Sequence, residues 1–73
     1  MDNTARQYRI TRGGIEKAVL GYGEFQQHSL QTAARHWCLL IGGHLAQFQQ
    51  SGIFACADDQ GQQKGYSVQE VRE

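Results

Sequence analysis

The sequence predicts a single α+β domain over residues 1–73, with two or three helices and a two- or three-stranded antiparallel sheet. Three observations predict it. An apolar stripe recurs at helical spacing from Leu30 to Phe48. The run "IFACADDQGQQKGYSV", residues 53–68, reads as two strands around a polar turn. "QYRIT", residues 7–11, alternates Tyr8 and Ile10 with polar neighbours, as a half-buried strand does.

Taken in order, "RGG" ends the first strand and "GIEKAVLGYG" follows. Ile15, Val19 and Tyr22 lie at i, i+4 and i+7, which predicts a short helix stopped by Gly21 or Gly23. Ser29 is the expected N-cap of the next helix, whose stripe is Leu30, Ala34, Trp37, Ile41, Leu45 and Phe48. Gly42–Gly43 interrupts that stripe at about 1 kcal/mol per glycine relative to alanine. Two arrangements fit: one long helix bent at the glycines, or two helices joined near residues 37–40. Gly52 is the expected C-terminal stop, with Ile53 packing back on the helix end.

"IFACA" is then a strand, "DDQGQQKG" a turn centred on Gly61, and "YSV" a strand with Tyr66 and Val68 on one face. "QEVRE" is expected to fray. The matching patterns Tyr8/Ile10 and Tyr66/Val68 allow the N-terminal strand to complete a three-stranded sheet. The expected core is Ile10, Ile15, Val19, Leu30, Ala34, Trp37, Ile41, Leu45, Phe48, Ile53 and Val68.

Seventy-three residues, 40% hydrophobic and 19% charged, describe one small globular domain rather than a disordered chain. The longest apolar run, Trp37–Ile41, is far shorter than the roughly 20 residues that span a bilayer, so no membrane is expected. "MDNTARQYRI" lacks an apolar core of signal-peptide length, which makes a cytoplasmic location the expectation. In that setting Cys38 and Cys56 read as two small buried hydrophobes, with a disulfide or a metal pair as alternatives.

Formal net charge is zero, which counts against a strong phosphate binder. The charges are nevertheless polarised. Arg6, Arg9, Arg12, Lys17 and Arg35 outnumber the acids before Trp37, and acids outnumber bases after it. Arg6, Arg9, Arg12 and Lys17, with Tyr8, form the best candidate nucleic-acid patch. The competing reading is an arginine-fringed edge strand that resists aggregation.

His28, His36 and His44 are spaced by eight, which on a helix leaves successive rings about 80° apart. They share no face, and the Cys-x-x-Cys signature of structural zinc is absent, so no metal is expected. Cys56 with a histidine and Asp58 supplies catalytic residue types, but a cysteine inside "IFACA" reads as buried. "RGG" and "GYG" lack the lysine and spacing of a phosphate loop. Neither a cofactor nor an enzymatic role is expected.

"HLAQFQQSGIF", His44–Phe54, resembles the end of the third helix and the first wing strand of winged helix-turn-helix repressors. "GQQKGYSV" resembles the returning wing strand, and "YRITRGGIEKAV" the strand-into-helix ending of some winged domains. The resemblance implies a small winged-helix-like domain and a DNA-binding transcriptional regulator acting as a dimer. Gln47 and Gln50 would then meet adenine edges in the major groove, and Lys64 would extend the contact surface from the wing loop. The alternative is a partner-binding adaptor or inhibitor of phage or plasmid type, without DNA binding or catalysis.

Overall fold

The computed structural model describes residues 6–23 and 28–71. They form β1 (Arg6–Arg12), β2 (Ile15–Tyr22), α1 (Leu30–Leu40), β3 (His44–Phe48), β4 (Ile53–Ala57) and β5 (Gln63–Glu70). All five strands join one antiparallel sheet in the order β2-β1-β5-β4-β3. The helix packs over β1, β5, β4 and β3 and leaves β2 at the margin. The winged-helix-like expectation of two or three helices on a smaller sheet is therefore corrected: among the described residues five strands carry a single 11-residue helix.

The first departure is at Ile15–Tyr22, which is β2 and not a helix. Gly13 and Gly14 have φ of 60° and 80°. Positive φ at both central residues is the type I′ geometry that folds a strand straight back on itself. Ile10 pairs with Ala18, Tyr8 with Leu20 and Arg6 with Tyr22. The next pair is Thr11 with Glu16, so Lys17 is an extra residue in β2. That bulge shifts the side-chain alternation and sets Ile15 opposite Arg12 beside the turn, where it is exposed.

The helix starts where expected. Ser29 Oγ accepts from the Thr32 N–H at 3.1 Å. It ends at Leu40, close to the join expected of the two-helix arrangement, but a strand and not a second helix follows. Ile41 is the C-cap, Gly42 takes φ of 87°, and two bonds close the end: Gly42 N–H to Leu39 O, and Gly43 N–H to Cys38 O. This is a Schellman stop, and it needs a residue tolerant of positive φ at position 42. Gly43 lies so close to the Ala57 carbonyl that a Cβ there would collide with it.

His44–Phe48 follows as β3 and not as helix. Leu45 pairs with Cys56 and Phe48 with Phe54, while the register shift leaves Ala46 as an extra residue. Cys56 and Phe54 are two apart on one face, so Leu45 and Phe48 share that face although they are three apart. A bulged strand here carries a helix-like spacing.

Gly52 is correspondingly a turn residue between β3 and β4, with φ of 107°. Its carbonyl accepts from the Val68 N–H at 2.9 Å. The β4–β5 hairpin forms as expected, with Asp58 Oδ1 accepting from the N–H groups of Gln60 and Gln62. The N-terminal strand does join the sheet: Ile10 pairs with Val68 and Tyr8 with Glu70. The expected fraying is corrected as far as Val71, whose N–H donates to Gln7 O at 2.8 Å. Residues 72 and 73 lie outside the described residues.

Of the expected core, Ile10, Ala34 and Val68 are buried, and Leu30, Trp37, Leu45 and Phe48 pack partly against it. Ile15, Val19, Ile41 and Ile53 are exposed: alternation turns Val19 and Ile53 away from the helix-covered face, while Ile15 sits beside the β1–β2 turn and Ile41 at the end of α1. Tyr8, Tyr22, Ala33, Phe54 and Tyr66 complete the core instead. Ala33, Ala34 and Cys38 are the fully buried helix residues, and their small size lets the helix approach the sheet closely. Cys38 is bonded to Cys56 in a disulfide with a Cα–Cα distance of 5.3 Å, which corrects the reading of two unlinked small hydrophobes.

Candidate functional site

Alternation along β1 and β2 sends Tyr8 and Tyr22 to the helix-covered face, where both rings are buried and meet edge to face with centroids 5.8 Å apart. Their hydroxyls reach two histidines: Tyr8 Oη lies 2.7 Å from His28 Nδ1, and Tyr22 Oη lies 2.7 Å from His36 Nδ1. Burial raises the pKa of both phenols; Glu70 adds to the rise at Tyr8, against a smaller lowering by Arg6, and Tyr8 adds to it at Tyr22. A phenol can donate to an unprotonated Nδ1 or accept from an Nδ1–H, so the direction of each bond follows the tautomer of its histidine.

The raised values have a consequence for stability. The folded state holds the phenol protons more tightly than the unfolded chain, so their contribution is complete below the unfolded value near 10. It is lost as pH rises through the folded values. Urea midpoints should fall as pH rises above about 10, and Tyr22→Phe should flatten that fall. An alkaline profile identical in wild type and variant would show that Tyr22 is not the group responsible.

Beside the Tyr22–His36 pair, β2 and α1 bound an open groove of about 460 Å³. Val19, Leu20, Gly21 and Tyr22 form one wall, and His36, Leu39 and Leu40 form the other. The walls are mainly apolar, and Leu39 and Leu40 are 59% and 67% exposed. The expected site residues did not include this groove. One signal pointed to it: an 11-residue helix cannot turn all of Trp37, Cys38, Leu39, Leu40 and Ile41 toward one core.

The expected cationic residues are dispersed. Arg6 sits 3.5 Å from Glu70 and Arg9 3.0 Å from Glu16. Arg9 faces the side of the sheet away from the helix, opposite Val19 and Gln69. Arg12 lies over the Tyr66 ring, 5.7 Å from its centroid, on the helix side. Lys17 is the bulged residue of β2, and Lys64 is on β5 opposite Cys56, not in a loop. Gln47 is a strand residue that donates to Gln63 Oε1 at 3.3 Å, and Gln50 is an exposed turn residue. The recognition helix expected to present these glutamines is not formed.

Among the described residues, no three His, Cys, Asp or Glu side chains gather as metal ligands, and no helix is long and apolar enough to cross a membrane. What the groove offers chemically is an apolar trough, a polar ring at one wall and a strand margin alongside. Comparison with known proteins returns no match to a family model, to a characterised protein or to a solved structure.

Proposed function

We propose that this protein is a partner-binding adaptor or inhibitor that engages another polypeptide along the β2–α1 margin. The observation that carries this reading is the apolar groove there, with Leu39 and Leu40 exposed beside the side of β2 that, among the described residues, no strand pairs. Apolar side chains grouped beside a sheet edge suit a polypeptide, which adds backbone hydrogen bonds and buries apolar surface together. A DNA-binding role draws less support. The net charge is zero, and Arg6 and Arg9 are each held by a carboxylate. The buried disulfide favours an oxidising compartment over the cytoplasm expected from the sequence.

Two measurements test the reading. Fluorescent duplex DNA titrated at about 50 mM salt should show no binding, since phosphate contacts are strongest at low salt. A displayed peptide library panned on protein immobilised at low density should return binders that weaken about tenfold or more on Leu40→Glu. DNA binding that falls steeply between about 50 and 200 mM salt would sink the proposal.

A further inference from the structure

We infer that the occupant of the β2–α1 margin is a second copy of this chain, added strand to strand through β2 to make a continuous ten-stranded sheet. This rests on reading that margin as a protein-binding surface. Among the described residues β2 pairs only with β1, so the outward row of N–H and C=O groups from Ile15 to Tyr22 has no strand partner. The features that deter strand addition are confined to one half. Glu16 and Lys17 carry the charges and the bulge, whereas Ala18–Tyr22 has neither. That unprotected half is the one that lines the groove. The opposite margin, β3, has its bulge at Ala46 in mid-strand, which interrupts any regular pairing there.

The unprotected stretch is complementary to itself. Antiparallel pairing centred on Leu20 sets Ala18 opposite the copy's Tyr22, and Val19 opposite the copy's Gly21. A large side chain meets a small one on both faces of the sheet. Ala18, Leu20 and Tyr22 lie on the helix-covered face, and Val19 and Gly21 on the other, by their pairing with β1. A twofold axis normal to the sheet keeps both helices on the same side. The two grooves then merge, with Leu39 and Leu40 of each copy flanking the joined β2 strands.

Sedimentation of the wild-type protein from low micromolar to near-millimolar concentration should show a particle of twice the 8.2 kDa chain mass at the upper end. Leu20→Cys places one thiol opposite its own copy, at a separation a disulfide can bridge, and should give a covalent dimer on air oxidation. Ser67→Cys, exposed on the interior strand β5, should stay monomeric under the same treatment. Leu39→Glu/Leu40→Glu alters exposed positions only and should shift self-association to at least tenfold higher concentration. A monomer throughout the range would overturn the inference, as would covalent dimers from Ser67→Cys but not Leu20→Cys. A monomer that still binds panned peptides and ignores DNA would overturn the second copy alone. DNA binding would overturn the functional reading beneath it.

Discussion

Reduction of the Cys38–Cys56 disulfide should lower the free energy of unfolding by about 3 kcal/mol. The bond closes a loop with a sequence separation of 18, and the loss of chain entropy from the unfolded ensemble gives about 3 kcal/mol for that length. A domain of this size has a total stability of about 4–11 kcal/mol, so the bond supplies a large share of it. It also sets the helix on the sheet, because it joins the buried face of α1 to the interior strand β4. The thermal midpoint should drop by about 12–24 °C in reductant. Cys38→Ala/Cys56→Ala should behave similarly without reductant and should not respond to it. Equal midpoints with and without reductant, with reduction verified by thiol titration, would show that the bond does not constrain the fold.

Phe54→Ala should cost about 3–5 kcal/mol, as loss of a fully buried phenyl ring usually does. Phe54 is 2% exposed and stacks on Tyr66 with centroids 5.6 Å apart. It stands opposite Phe48 on β3 and Tyr66 on β5, so its removal leaves a void shared by three strands. Its neighbour Ile53 is 52% exposed on the other face, and Ile53→Ala should change stability by no more than about 0.5 kcal/mol. The contrast is a test of register: a one-residue slip exchanges every side chain between faces. Urea unfolding of both variants checks it. Equal losses, or a larger loss from Ile53→Ala, would show that β4 has been placed on the wrong face.

The function is less legible than the fold in the residues read alone. The arginines formed a cluster in sequence, but strand alternation and ion pairing distribute them over two faces. The groove depends on β2 lying beside the end of α1, a proximity that no local pattern states. Its only trace was an apolar run too long for one helix face.

Local chemistry sufficed wherever one residue's own preference settles the backbone. Ser29 caps α1 because its hydroxyl accepts an N–H three residues on. Residues 53–68 fold into a hairpin because an acceptor-rich Asp58 and a positive-φ Gly61 build the turn between two strand-forming runs. Residues 7–11 are a strand because alternation leaves one face to bury. Elsewhere two periods competed. Leu45 and Phe48 are spaced as on a helix, but the bulge at Ala46 produces the same spacing in a strand. Ile15, Val19 and Tyr22 fit a helix, while Ala18, Leu20 and Tyr22 fit a strand over the same residues. The long-range pairings decide between them: β5 holds one side of β1, and the turn at Gly13–Gly14 delivers β2 to the other. The same competition ends α1 at Gly42, where the Schellman bonds and the Ala57 carbonyl leave β3 room to pair with β4. A spacing of three or four residues describes where apolar groups recur along a chain. Which backbone brings them to one face depends on partners that lie elsewhere in the sequence.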